Sequence, residues 1–443
     1  MVKVAKFGGS SVANSEQFKK VKKIIEADRS RKYVVTSACG KEKKEDYKVT
    51  DLLYLTHAHF KYGVDFQEIF SLVEKKYKSI VQDLNLKLDI EKEFDDIKDK
   101  ITSGATIDYL VSRGEYLAGL CLSEYLGYEF LDAKNFIMFD YNGKINLDKS
   151  KEFFDKIIDK NKSYVIPGFY GSMPDGDIRV MSRGGSDITG SLVANIVDAV
   201  LYENWTDVSG ILVCDPRIVD NPKHINYISY DELREISYMG ANVLHDEAIY
   251  PAKIKNIPIN IRNTNDMNSD GTMILADCSE ADKKIAPPLI TGITGKKNFN
   301  IITVTKINMS NQVGVISKAL NILSDYNISI ESAPGSIDSF WIIVEEKNLE
   351  KYQYEVVAKL KKELDTEDVT ITKDIALVAA VGRGFRSRIG LAGIIFKTLG
   401  DNGINIRTIT QGSDEIIILI GVDNKDFEKS INCIYDNFVR NEK

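Results

Sequence analysis

Hydrophobic and polar residues alternate along this chain with two different periods. At the start, Val2-Lys3-Val4-Ala5-Lys6-Phe7 predicts a strand over Val2–Phe7, the spacing over Ser15–Ala27 predicts a helix, and Lys32–Thr36 predicts a second strand. Gly8-Gly9 and Ala38-Cys39-Gly40 fall at the C-terminal ends of those strands. Residues 41–105 are rich in Lys and Glu, with apolar residues at helical spacing (Leu52, Leu53, Leu55; Ile69, Leu72, Val73, Tyr77), which predicts a helical excursion. From 107 to 275 the strand–helix alternation resumes, with strands predicted at Tyr164–Pro167, Ala199–Trp205 and Ile257–Asn263. Such alternation predicts an α/β fold with a mostly parallel central sheet, whose ligands bind at the C-terminal strand ends.

After Ala286-Pro287-Pro288 the pattern changes to an internal repeat. Gly314–Ile330 superposes without gaps on Gly390–Ile406, with identities at Gly314/Gly390, Leu323/Leu399, Asp325/Asp401, Ile328/Ile404 and Ile330/Ile406. Each copy reads strand, glycine turn, helix, strand, strand, helix, so two small βαββαβ units are predicted. The expected division is residues 1–287, then 288–443 with copies at about 300–372 and 375–443.

Composition narrows the classes. The 443 residues carry 65 acidic against 58 basic side chains, a net charge of −7, which argues against a dedicated nucleic-acid binder. Five scattered cysteines form neither a disulfide framework nor a metal-type pairing, and a cytoplasmic location is expected. His57 and His59 read as a solvated helix face, so no protein-held metal is expected. No apolar run approaches the roughly 20 residues that span a bilayer, and the N-terminus lacks a signal-peptide pattern.

Candidate chemistry gathers in four segments. Ser182-Arg183-Gly184-Gly185-Ser186-Asp187-Ile188-Thr189-Gly190 opens an apolar helix, placing backbone N–H groups, a guanidinium and a carboxylate at one spot. The plain alternative is a capped helix after a tight turn. Lys6-Phe7-Gly8-Gly9-Ser10-Ser11 offers a strand-borne cation beside glycines, although the spacing is not that of a Walker loop. In Ser112–Gly119, Glu115 is predicted where a turn meets an apolar helix, either as a dipole-compatible start or as a carboxylate for an ammonium. Trp205–Arg217 begins at a strand end and closes with Asp215-Pro216-Arg217, either a plain turn or a presenter of Arg217 to phosphate. Together these suit phosphoryl transfer with Mg²⁺ bridging phosphates. Nucleophilic Ser or Cys chemistry suits them poorly, since no His falls near the glycine turns.

These segments, with Gly168-Phe169-Tyr170-Gly171 and Gly240-Ala241-Asn242-Val243-Leu244-His245, follow in order the signature segments of aspartate kinases, and the tail resembles their tandem ACT domains. The resemblance covers nearly the whole chain. It implies the amino-acid-kinase three-layer sandwich followed by two ferredoxin-like ACT domains, in a monofunctional enzyme. The implied reaction is phosphorylation of the β-carboxylate of L-aspartate by Mg·ATP, the committed step toward lysine, threonine and methionine. Residue by residue, it makes Lys6 the cation at the transferred group and Asp187, with Ser186, the organiser of the site. Arg183 is implied to hold the aspartate α-carboxylate and Glu115 its ammonium, with Thr50 on the substrate side. Lys6 again, with Gly8, Gly9, Ser10, Thr206, Asp207, Leu212 and Arg217, is implied for ATP.

Three departures stand out: Asn242 where many relatives have Lys, Leu212 where some have Tyr, and His245-Asp246-Glu247 in place of the common His-Pro. The first two remove a cation and an aromatic from the ATP side. In the repeats, the resemblance implies an effector seat of Met309, Gln312, Gly314, Val315, Ile316, Ser329, Ile330 and Glu331, with lysine the first choice of effector and threonine the second. A homodimer or dimer of dimers through the ACT domains is implied. A catalytically inactive amino-acid sensor and a kinase for another acidic amino acid are the competing readings.

Overall fold

The computed structural model describes residues 1–43, 45–182, 184–240, 244, 246–284 and 287–440. They fall into two compact units that interleave along the chain, one of residues 1–211, 224–230 and 242–281, the other of residues 212–223, 231–241 and 282–443.

The first unit is built on an eight-stranded sheet. Its strands are β1 (Lys3–Phe7), β2 (Arg31–Thr36), β3 (Glu129–Phe130), β4 (Tyr164–Pro167), β5 (Leu201–Thr206), β6 (Tyr227–Ser229), β7 (Ile259–Asn263) and β8 (Thr272–Leu275), in the order β6-β8-β7-β5-β1-β2-β4-β3. Only β7 and β8 run antiparallel; every other neighbouring pair is parallel. The central strands are buried on both faces, as in parallel sheets covered by helices. The strand ends stand within two residues of the predicted ones.

The excursion is helical as expected, with α1 (Ser15–Glu26) before it and α2 (Val49–Lys61), α3 (Gln67–Asp83) and α4 (Ile90–Thr102) within it. Next come α5 (Ile107–Leu126) and α6 (Gly185–Ile196). Caps set the starts: Asn14 accepts from the Gln17 N–H and Thr106 from the Tyr109 N–H. One apolar core joins Phe7, Phe18 and Trp205 of the sheet side to Phe70, Tyr77 and Phe94 of the excursion. Phe7 and Trp205 stack at 6.1 Å, and Phe70 meets Phe94 edge-on at 6.3 Å.

The second unit holds a five-stranded antiparallel sheet of β9 (Gly292–Thr305), β10 (Ser339–Glu345), β11 (Asp368–Val381), β12 (Thr408–Gln411) and β13 (Ile417–Asp423), ordered β10-β9-β11-β13-β12. It also holds most of helix α7 (Tyr230–Tyr238), together with α8 (Val315–Asp325), α9 (Gln353–Leu364), α10 (Leu391–Asp401) and α11 (Phe427–Tyr435). The repeat is visible in the backbone: Gly314 and Gly390 both cap their helices at φ 87°, a left-handed conformation that a side chain would strain.

One strand departs from two units laid in series. Residues 292–296 of β9 pair with 377–381 of β11, whereas residues 301–305 pair with 368–372. Each long strand therefore serves both repeats, and the outer strand of the second repeat precedes the first repeat in the chain. A second departure follows α8, where the predicted strand is reduced to isolated bridges, Ser332 with Ile343 and Gly335 with Phe340. Among the described residues no helix is long and apolar enough to cross a membrane.

Candidate active site

The C-terminal edge of the first unit's sheet gathers the predicted chemistry. β1 delivers Lys6, 6% exposed, and then breaks into the Gly8–Ser10 turn, where the Gly8 N–H donates to the Trp205 carbonyl at 2.9 Å. The Gly9 carbonyl accepts from the Gly40 N–H at 2.9 Å, locking this turn to the one after β2. A Cβ on Gly40 would lie 2.6 Å from the Gly9 carbonyl carbon, so only glycine lets the two backbones meet.

α6 supplies the countercharge. Gly184 leads into it at φ 83°, and Asp187 stands in its first turn. Asp187 Oδ1 lies 2.6 Å from Lys6 Nζ. Asn204, from β5, completes a triangle: its Nδ2 donates to Asp187 Oδ1 at 2.9 Å, and its Oδ1 accepts from Lys6 at 3.3 Å. Sequence reasoning missed Asn204. The signal was present, since Glu203 and Asn204 are two polar residues inside an otherwise apolar buried strand, where each must find a partner. Glu203 points to the other face and is satisfied by Arg31, at 2.6 and 3.0 Å, and by the Trp205 indole at 3.0 Å.

Ser186 is buried against Gly168, whose N–H donates to Thr36 at the end of β2. Thr50 is half-buried in the first turn of α2. Thr206 ends β5, and its hydroxyl donates to the exposed Asp207 at 3.2 Å.

Glu115 requires a correction. It does not stand at a helix start; it lies in the middle of the 20-residue α5, because Arg113-Gly114 continues the helix instead of breaking it. The absent side chain at Gly114 lets α5 press on the Ala38 turn, where a Cβ would stand 2.8 Å from that of Ala38. Glu115 is 4% exposed and accepts from the Ala38 N–H, yet its Oε2 has no hydrogen-bond partner among the described residues. Burial pushes its carboxyl up to about 8, against the pull of that N–H and of Arg113. Neighbouring Arg113 is itself held over the rings of Tyr116 (4.3 Å), Tyr109 (4.7 Å) and Tyr170 (5.5 Å).

Arg183, Asn242 and His245 lie outside the described residues. Leu212 and Arg217 belong to the second unit. Arg217 turns back onto Asp215 of its own turn at 2.6 Å, with its side chain 88% exposed. Among the described residues no group of three or more His, Cys, Asp or Glu is placed to hold a metal ion. The thiol of buried Cys39, beside Gly40, is pushed up to about 12 by burial and is therefore a poor nucleophile.

In the second unit, Gly314 opens α8 beside buried Met309 and Val315, with Ile316 half-buried and Gln312 exposed. Ser329 is exposed, and Ile330 and Glu331 are half-buried on the following segment. Glu331 Oε2 accepts from the Tyr238 hydroxyl, at the end of α7, at 2.9 Å. Burial and Glu331 push that phenol up to about 12, so it remains a donor. The other end of α7 is fixed by Glu232, fully buried, which accepts from Thr291 at 2.6 Å and pairs with Arg383 at 3.0 Å.

Comparison with known proteins agrees with both units. Residues 1–263 match the amino acid kinase family, and residues 378–438 match an ACT domain. Aspartokinase 3 of Bacillus subtilis is 34% identical over 99% of this chain and 98% of its own. The crystal structure of the aspartate kinase of Clostridium acetobutylicum is 47% identical, covers 99% of both chains and superposes with a TM-score of 0.91. Aspartokinase III of Escherichia coli, solved with aspartate and ADP, shares the fold at 24% identity and a TM-score of 0.75, covering 99% of both chains. With relatives matched from end to end and a family match over more than half its length, the chain belongs to the aspartokinases of the amino acid kinase family.

Proposed function

We propose that the chain transfers the γ-phosphoryl group of Mg·ATP to the β-carboxylate of L-aspartate, giving 4-phospho-L-aspartate, the first step toward lysine, threonine and methionine. One observation carries the reading: a buried lysine beside the glycine turns, with a buried carboxylate, Glu115, whose second oxygen is open. The pair divides the labour that the reaction needs. Lys6 neutralises charge as two anions are brought together, and Glu115 takes an amino-acid ammonium. Ser186, Asp187 and Thr50 line the substrate side, with Arg183 for the α-carboxylate. Gly8, Gly9, Ser10, Thr206, Asp207, Leu212 and Arg217 are the residues proposed for the nucleotide. Mg²⁺ enters as part of the nucleotide substrate.

The test is coupled ADP release with Mg·ATP and L-aspartate, L-glutamate or N-acetylglutamate. Turnover with aspartate alone is expected. No turnover with any of them, while lysine still binds, would leave an amino-acid sensor instead. Residues 1–287 are proposed as the catalytic part and 288–443 as the regulatory part, which joins the chain into a cytoplasmic homodimer or dimer of dimers.

Lysine is the proposed effector, seated by Met309, Gln312, Gly314–Ile316, Ser329, Ile330 and Glu331, with its ammonium on Glu331. In the free protein Glu331 is already engaged by Tyr238, so lysine competes with a phenol for that carboxylate. Tyr238→Phe is expected to lower the lysine concentration for half-inhibition about three- to tenfold, and Glu331→Ala to raise it at least about tenfold. Inhibition curves for both variants check this. Curves that coincide with wild type would remove Glu331 from the effector site.

A further inference from the structure

β5 turns Glu203 and Asn204 to opposite faces of a buried sheet, and only Glu203 is explained by packing. Its partners, Arg31 and Trp205, are themselves buried. Asn204 is 4% exposed, and its side chain bonds two charged groups at the phosphoryl site: Nδ2 donates to Asp187 Oδ1 at 2.9 Å, and Oδ1 accepts from Lys6 at 3.3 Å. Asp187 and Lys6 also meet directly at 2.6 Å. Cation, anion and neutral amide thus form a closed ring in which the same Asp187 oxygen receives two donors.

That geometry has a consequence for Lys6. Lys6 is buried and Asp187 half-buried, its side chain 19% exposed, so parting the two leaves the ammonium desolvated and the carboxylate short of a donor. The ammonium must nonetheless turn part of its hydrogen bonding to the migrating phosphoryl oxygens. A neutral amide on the same carboxylate oxygen keeps Asp187 satisfied during that exchange and adds no charge that would repel phosphate. Its carbonyl meanwhile keeps the ammonium from swinging away.

We propose that Asn204 is the positioning residue of the phosphoryl transfer, holding Asp187 while Lys6 passes from it to the transferred group. The proposal rests on the phosphotransfer reading above, which wild-type turnover with aspartate tests separately.

Two replacements distinguish positioning from mere packing. Asn204→Leu removes both hydrogen bonds at similar volume and leaves Lys6 locked on Asp187. Its kcat is expected to fall about 10- to 30-fold with the KM for aspartate within about threefold, as for an interaction needed only in the transition state. Binding of the non-hydrolysable analogue AMP-PNP, measured by calorimetry, should stay within about threefold and shows that the variant is folded. Asn204→Asp keeps the shape and the acceptor to Lys6 but puts a second anion at the phosphoryl seat. It should lose AMP-PNP affinity about tenfold as well as kcat. A kcat within threefold of wild type for Asn204→Leu would overturn the proposal. So would a parallel loss of kcat, aspartate KM and AMP-PNP binding in both variants, the mark of a purely structural asparagine.

Discussion

Lys6→Ala is expected to lower kcat for aspartate phosphorylation by about a thousandfold to ten-thousandfold. The size follows from the position of the ammonium. It is 6% exposed, fixed within 2.6 Å of Asp187 at the end of β1, and beside a turn whose backbone is bare: a Cβ on Gly8 would come within 3.5 Å of Lys6 Nζ. A carboxylate attacking a phosphoryl group brings like charges together, and a fixed cation in a water-poor site offsets that repulsion far better than solvent does. Lys6→Arg separates charge from geometry. The planar guanidinium keeps the charge but cannot occupy the gap between Asp187 and Asn204, so a loss of about tenfold to a hundredfold is expected. Coupled ADP release measures both variants, and AMP-PNP calorimetry verifies that they still bind nucleotide. A loss under about thirtyfold in Lys6→Ala would mean that another group handles the transferred charge.

Local pattern picked out Lys6 and Asp187, which the fold brings together, and its failures share one cause. Lys6, Gly8, Gly9 and Asp187 were legible because strand ends and helix starts leave signals within a few residues, and β1, β2, β5 and β7 end within two residues of their expected positions. The repeat was legible because Gly314 and Gly390 adopt the same left-handed cap. What failed depends on distant partners. Gly114 reads locally as a break, yet it lies inside α5 because the Ala38 turn packs against it. Residues 292–296 precede the expected first copy at about 300–372, yet they pair with 377–381 in the second. Asn204 reads as one polar residue in a strand, and its meaning appears only when Lys6 and Asp187 are folded around it.

Glu115 makes aspartate binding depend on pH in a direction that can be stated in advance. Its carboxyl titrates near 8 in the free protein because burial penalises the charged form, so at pH 7 it is mostly protonated. An ammonium needs the carboxylate, so binding aspartate expels a proton whenever the pH is below about 8. Aspartate affinity should therefore rise about tenfold per pH unit from 6 toward 8 and level off above. The same group acts on stability with the opposite slope. An unfolded glutamate titrates at 4.5 and the folded one near 8, so across that window the folded chain holds a proton that the unfolded chain has lost. Stability falls as pH rises through the window, and the full contribution is present only below it. Glu115→Gln removes both effects: aspartate affinity becomes flat between pH 6 and 8 and, at pH 8, about 30- to 100-fold weaker than wild type. Its melting temperature should gain on wild type between pH 5 and pH 8. Calorimetry in buffers of different ionisation enthalpy counts the proton released, and thermal melts give the second slope. Wild-type affinity that does not change from pH 6 to 8, or a glutamine variant with the same pH slope as wild type, would take the substrate ammonium away from Glu115.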